Sequence, residues 1–359
     1  VTAAPANDPE AQASPDRHLH FVGSLPQFRT AEQALRWQVG DLAGRLRRLC
    51  GGETGDRLLW FVPVVKALKV SPKVRVVRDG DWSGYDDTDR LAVRRGERLR
   101  GADVPLRLAG FAAEELHALA AMGHPATAGL PLQVGIPGYL DMALFTFGPV
   151  GMARAVRAFF QALAAEIRTV HAAAGDTVVF QLESPAALVA VNTMPRLLRR
   201  PAARLLARLV ARQAAAAPRG SRFGVHLCFG DLGHRAASRP HDAAAVAELA
   251  DALIRRWPKG RTLEYVHLPL AAAQEPPSVD PRYYAPLRRL GARTDTALVA
   301  GIAHEAQSRE DQRTALRLAE EALGRRVDIA TSCGLGRRSP LQAEEAAAAM
   351  LVLSGADGA

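Results

Sequence analysis

Four residues with metal-binding side chains stand at strand-like segments in the second half of the chain. His226 and Cys228 lie two residues apart in FGVHLCFG, so on an extended backbone both side chains leave the same face and reach one ion. Glu264, in LEYVH, is an acid among apolar neighbours, where an unpaired carboxylate is costly to bury. Cys333 closes IATSC just ahead of a Gly-rich turn. An isolated His-x-Cys is ordinary, because buried cysteines and hydrogen-bonded histidines are common core residues. Two sulfurs, one imidazole and one carboxylate together form a donor set suited to zinc. The competing reading pairs Glu264 with an arginine and leaves both cysteines in the core.

For these groups to converge, their strands must share a sheet and present the same end. Strand-like runs fall at 20–24, 46–52, 130–136, 177–183, 223–229, 262–268, 297–303 and 327–333, eight in all. Helical patterns lie between them, clearest at 30–49, 150–174, 243–257, 309–323 and 341–353, the first overlapping the second strand. The alternation predicts an α/β fold, a single (β/α)8 TIM barrel over 18–359 behind a disordered leader over 1–17. In such barrels active sites sit at the C-terminal ends of the strands, so groups from the fifth, sixth and eighth strands can meet there. A β-hairpin insertion is expected after the second strand, over about 73–108. It carries Asp79, Asp81, Trp82, Tyr85 and Asp86, residues that suit both tight turns and the mouth of a substrate cleft.

The 359 residues, 48% hydrophobic, suffice for a large core. Three cysteines far apart argue against a disulfide framework and for reduced thiols in a cytoplasmic protein. No run approaches the roughly 18 apolar residues that span a bilayer. The net charge of +9 comes mostly from arginines scattered among alanines, dense only in 195–213. There leucines and valines recur at helical spacing, which predicts a solvated helix and not a nucleic-acid or membrane site.

The order of these motifs resembles the catalytic barrel of the cobalamin-independent methionine synthases and their single-barrel relatives, over roughly residues 19–353. FVGSLPQ is similar to the family's Gly-Ser-x-Pro-Gln loop, which implies that Gly23 and Ser24 contact the amino-acid part of a thiol. GGETGDRLLW is similar to its Gly-Glu-x-x-x-Arg segment, implying that Glu53 grips the substrate ammonium with Arg57 nearby. FQLESPAAL resembles its Gln-Ile-Asp-Glu-Pro-Ala strand end, with Glu183 at the aspartate position and Ser184 where the family has glutamate. His226, Cys228, Glu264 and Cys333 match its metal positions, and Phe145 in ALFTFG falls near its pterin-binding tryptophan. His304, in GIAHEAQ, stands nearest to the acid that protonates the leaving nitrogen. GETGDRLLW and CGLGRR also resemble a branch described as methionine-synthase-like or uroporphyrinogen-decarboxylase-like.

The resemblance implies a zinc-dependent S-methyltransferase-like enzyme. A substrate thiol would bind Zn2+, with Glu264 and His304 in catalytic roles and a folate or a corrinoid protein as alkyl donor. Two alternatives share the same metal site. One is zinc-dependent thiol addition or carbon–sulfur cleavage. The other is a non-catalytic, zinc-stabilised barrel that binds a thiol or a corrinoid protein.

Overall fold

The computed structural model describes residues 17–59, 61–124, 127, 129–291 and 294–355. The expected leader lies outside them except for its last residue. Along the chain run α1 (Ala31–Asp41), β1 (Leu49–Cys50), α2 (Phe61–Lys69), β2 (Val74–Arg78), β3 (Arg90–Val93), α3 (Leu108–Met122), β4 (Leu132–Pro137), α4 (Tyr139–Ala174) and β5 (Val178–Glu183). There follow α5 (Pro185–Thr193), α6 (Arg196–Ala215), β6 (Arg222–His226), α7 (Ala244–Arg256), β7 (Thr262–Pro269), α8 (Pro281–Tyr284), β8 (Ala297–Ala303), α9 (Arg309–Leu323), β9 (Asp328–Thr331) and α10 (Pro340–Leu353). Seven strands form one curled sheet in the order β1-β4-β5-β6-β7-β8-β9, with every neighbouring pair parallel. Helices return the chain between successive strands, as parallel pairing requires. Among the described residues no helix is long and apolar enough to cross a membrane.

The run expected as a strand at 20–24 pairs slightly earlier. Leu19 bridges in parallel to both Leu46 and Ile329, beside the two outer strands of the sheet. Its neighbour His20 donates its backbone N–H to the Ile329 carbonyl at 2.8 Å. Extended pairing stops there because Gly23 (φ 145°) and Ser24 (φ 52°) turn the chain aside. Similarly, the helix expected over 30–49 ends at Asp41: Gly44 takes a positive φ of 74°, and Leu46 onward is drawn to the sheet.

Expected and observed helices coincide closely at α7, α9 and α10, whose apolar stripes pack on the sheet. In α6 the assignment of faces differs. Its small residues Ala203, Ala207, Ala211 and Ala214 face inward, while Leu197 is 92% and Leu205 58% exposed. Alanines allow close approach to α7, and the leucines share the outer surface with arginines. The helix α4 is broken at Gly148 (φ 68°, ψ 176°), where Pro149 starts a second helical stretch and cannot donate a backbone hydrogen bond. Arg90 of β3 caps carbonyls freed at that break, donating to Leu144 O at 3.1 Å and Phe145 O at 3.0 Å. In the region expected as an insertion, β2 and β3 pair antiparallel, with a register shift between Val76 and Arg78.

The two faces of the parallel sheet differ in chemistry. Val178, Phe180, Leu182, Phe223 and Val225 belong to the large apolar core. The concave face carries a small cluster of Val179, Tyr265, Val299 and Ala330, and then polar groups. The Tyr265 hydroxyl lies 3.0 Å from the side-chain oxygens of both Gln133 and Gln181. The amide nitrogens of these glutamines donate to Val22 O, at 3.0 and 2.7 Å, fixing the segment that leads into Gly23 and Ser24. Gly224 makes room for this layer, since a Cβ there would overlap the Tyr265 ring. We therefore expect Gly224→Ala to destabilise the fold by about 1–3 kcal/mol through overpacking. Urea unfolding of the two proteins checks this, and equal midpoints would contradict the packing account.

Candidate metal centre

Parallel register sets the level of the site. Pro137 pairs with Glu183, Glu183 with His226, and His226 with His267. His226 ends β6, Cys228 follows it, and Cys333 lies in the loop after β9. The structure brings these three together: one donor atom from each of His226, Cys228 and Cys333 lies within 4.8 Å of the others. The Nε2 atom of His226 is buried and has no hydrogen-bond partner among the described residues. Such an orphan is costly unless a ligand takes its lone pair. Cys228 Sγ accepts the Gly230 N–H at 3.2 Å. The facing Cys333 thiol, together with burial, holds the Cys228 thiol well above its usual range. Two thiols, one buried and one half-buried, and a buried imidazole nitrogen fit zinc by donor type.

Glu264 is not brought to this group. It is the third residue of β7, and it is the extra residue at a bulge where Phe223 pairs with Leu263 but Gly224 pairs with Tyr265. Arg222, which opens β6, engages its carboxylate, and Arg48 stands 3.7 Å away. At about 3.3 Å per residue it lies roughly 10 Å along the strand from the level of His267. This corrects its expected metal and catalytic roles: the carboxylate is neutralised by arginines at the opposite end of the sheet.

His304 is likewise absent from the cleft. Its Nδ1 accepts the Ala306 N–H at 3.1 Å, and its Nε2 donates to Ala273 O at 2.9 Å. Both ring nitrogens are used in holding loops, and burial lowers the ring's pKa. The expected acid role is therefore corrected to a structural one.

A cleft of about 140 Å3 opens on the three donors, and Gly23, Ser24, Glu53, Phe145 and Glu183 also line it. Holding a single water takes about a tenth of that space. Ser24 Oγ donates to Glu53 Oε2 at 2.5 Å. Both residues have left-handed backbones, φ 52° and 43°, a conformation uncommon outside glycine. Gly23 is required beside them by its φ of 145°, and a Cβ there would also crowd Glu53 Oε2 at 3.1 Å. Burial raises the pKa of Glu53, against the bond from Ser24 and the charges of Arg57 and Arg337. Burial, and then the charges of Glu53 and Cys333, place Glu183 well above the carboxylate range. Two half-buried carboxylates on one cleft favour a cation between them. Arg57 itself points away from the cleft, donating to Glu115 Oε1 at 2.6 Å with its guanidinium over Phe111.

The β2–β3 segment contributes aromatics, not acids. Trp82 and Tyr85 line the cleft, whereas Lys69 engages Asp79, Asp81 accepts from Ser83 within its own turn, and Asp86 is exposed. The Tyr85 hydroxyl accepts the Leu232 N–H and donates to Arg235 O, each at 3.2 Å.

Asp231 and Arg337 also line the cleft, and residue types alone did not single them out. A signal existed in FGDLGH and CGLGRR, where charged residues follow the ligand strands directly. Asp231 belongs to a buried charge network. His234 reaches Asp231 at 3.3 Å and Glu305 at 3.2 Å, and Arg338 reaches Glu305 at 2.9 Å. Asp231 and Glu305 raise His234 to about 9. Although burial works against ionisation of Glu305, His234 and Arg338 hold it down to about 2.

No protein-family model matches the chain, and no curated protein matches it by sequence. Solved structures do resemble it. A B12-independent methionine synthase from Shewanella sp. W3-18-1, in complex with selenomethionine, aligns at TM-score 0.55 and 16% identity, covering 95% of this chain and 96% of that one. A putative vitamin-B12 independent methionine synthase from Listeria monocytogenes aligns at 0.50 and 14%, over 91% and 85%. A methyltransferase from Methanosarcina mazei aligns at 0.50 and 17%, over 93% and 94%. At these identities the likeness is one of fold.

The network makes a pH prediction. The folded pKa of His234 is raised from 6.5 to about 9, so its contribution to stability is complete below 6.5 and is lost as pH rises through 9. Stability of the wild type should carry a decline across that window that is missing in His234→Gln. Denaturant titrations at several pH values measure it, and parallel profiles would contradict the assigned ion pairs.

Proposed function

We propose that this chain is a zinc-dependent transferase that alkylates, most simply methylates, a small thiol. The observation that carries the reading is the convergence of His226, Cys228 and Cys333 on one cleft, with His226 Nε2 lacking any other partner among the described residues. The resemblance of fold to methionine synthases and a methyltransferase supports it. So does the pairing of Leu19 with both outer strand segments, which we read as closing residues 18–359 into one (β/α)8 barrel, with 73–108 inserted at its rim.

His226 Nε2, Cys228 Sγ and Cys333 Sγ would hold the zinc, and the cleft beside them would admit a substrate thiol. When bound, the ion lowers the pKa of a thiol so that thiolate prevails near neutrality. Glu53 and Glu183 receive an ammonium group, and the Ser24 hydroxyl fixes the rotamer of Glu53. Holding the amine in this way aims the sulfur and removes orientational freedom before reaction. Phe61, Trp82 and Phe145 form an apolar wall that excludes water from the approach of the alkyl donor, for which a folate and a corrinoid protein are the candidates. Sulfur attacks the alkyl carbon in line, and the leaving group departs with the bonding pair. Ser184, buried at the start of α5, stands where that family has an acid, so we assign amine recognition to Glu53 and Glu183 alone.

Metal analysis tests the centre. The wild type should carry about one zinc per chain, Cys228→Ser and Cys333→Ser under roughly a tenth of that, and Glu264→Gln the full amount. Zinc-free wild type would end the proposal. X-ray absorption should show one added sulfur ligand when the substrate thiol binds, and mass spectrometry with a methyl-labelled donor should show the label in the thioether. Glu53→Gln should raise KM for an amino-thiol about 10–100-fold, the loss of one charge-assisted hydrogen bond. Unchanged KM would remove Glu53 from amine recognition.

A further inference from the structure

The ring of His267 touches the ring of His226. Their Nδ1 atoms are 2.9 Å apart, and His267 Nε2 lies 2.9 Å from the carbonyl oxygen of Thr331. A carbonyl only accepts, so Nε2 of His267 carries a proton. One further proton lies between the two Nδ1 atoms. Placed on His267 it would make that ring a cation with 0% exposure and no carboxylate in hydrogen-bond reach among the described residues. Placed on His226 it leaves both rings neutral. His226 Nδ1 then donates to His267 Nδ1, and His226 Nε2 bears a lone pair. That nitrogen is buried without a partner among the described residues. Leu227 O, 3.3 Å from His267 Nδ1, then receives no proton from it.

The backbone is built to seat this ring. Gly301, on the neighbouring strand β8, is a residue whose Cβ would come 2.6 Å from His267 Nε2 and 3.0 Å from Ser332 Cα. The register of β6 with β7 sets His226 and His267 side by side. Tyr265, two residues earlier on the same face, is packed by Gly224 in the same manner. Two successive interior rings of β7 are therefore each matched by a glycine on a neighbouring strand.

We propose that His267 is a positioning residue: the chain from Thr331 C=O through His267 to His226 fixes the tautomer of His226 that presents Nε2 to the metal. The inference rests on the reading of His226 as a ligand, and it adds a residue that touches neither ion nor substrate. Most ligating histidines donate their second nitrogen to a carboxylate, a carbonyl or water. Here a second imidazole, itself held by a carbonyl, takes that place.

The tautomer is read without metal. Long-range 1H–15N correlation spectra of the metal-free, histidine-labelled full chain, near neutral pH, should show His226 protonated at Nδ1. His267→Phe should lose that preference, and its zinc Kd should rise about 10–100-fold at unchanged stoichiometry, as for other outer partners of ligating histidines. His267→Asn, whose side-chain oxygen can accept the same proton, should restore the tautomer and most of the affinity. Wild-type His226 protonated at Nε2 overturns the proposal, and so does a His267→Phe protein that binds zinc as tightly as wild type. A nitrogen lost from the X-ray absorption signature of zinc-loaded His267→Phe would also overturn it, by making His267 a ligand. Wild type that binds no zinc yet shows the Nδ1–H tautomer would sink the metal reading alone.

Discussion

Parallel register is the constraint on which the rest depends. Because β4 to β7 pair in register through Pro137, Glu183, His226 and His267, four strand ends present their side chains at a single level. A slip of one residue in β6 would turn His226 and Cys228 to the opposite face. The apolar face of the sheet makes such a slip costly, since Phe223 and Val225 would leave the core together. The site is thus held by hydrophobic burial on the far side of its own backbone.

The concave face works by a different chemistry. Below the cleft its polar side chains bond one another: Gln133 and Gln181 both meet the Tyr265 hydroxyl and the Val22 carbonyl, and Gln181 also meets His20 at 3.1 Å. A buried layer of this kind specifies one arrangement because any alternative leaves polar groups unpaired. Glycines supply the space: Gly135 beside Glu53 and Glu183, Gly224 beside Tyr265, Gly301 beside His267. Strained residues sit directly above, at Ser24 and Glu53, where the backbone turns out of the sheet to carry cleft groups.

Much of this was legible in sequence, and the failures have physical causes. His226, Cys228 and Cys333 could be found because each follows an apolar run that ends a strand, a local signal. Glu264 misled for the same reason, being an acid inside an apolar run. Its distance from the site follows from strand length and a bulge, which depend on pairing with β6 and leave no local trace. His267 lies inside that same run, and its contact with His226 arises only from the pairing of β7 with β6. His304 also follows a strand, yet the chain folds back there and Ala273 and Ala306 consume its nitrogens. In the β2–β3 segment the acids and aromatics alternate closely, and only packing decides that Trp82 turns inward while Asp86 stays in water.

The Tyr85 hydroxyl carries a mechanical consequence. One wall of the cleft comes from a segment almost 150 residues away in sequence from the loop it leans on, and two hydrogen bonds from a single phenol join them, to Leu232 and Arg235. Gly230 and Gly233 let the two loops approach closely, since a Cβ at the first would come 2.3 Å from the Tyr85 hydroxyl and one at the second 2.8 Å from Ser83 O. Parting that seam costs on the order of 1–3 kcal/mol in hydrogen bonds. Rupture of the parallel sheet beneath would cost far more. Neither bond involves the sheet, so losing both would leave the strand that carries His226 as it is.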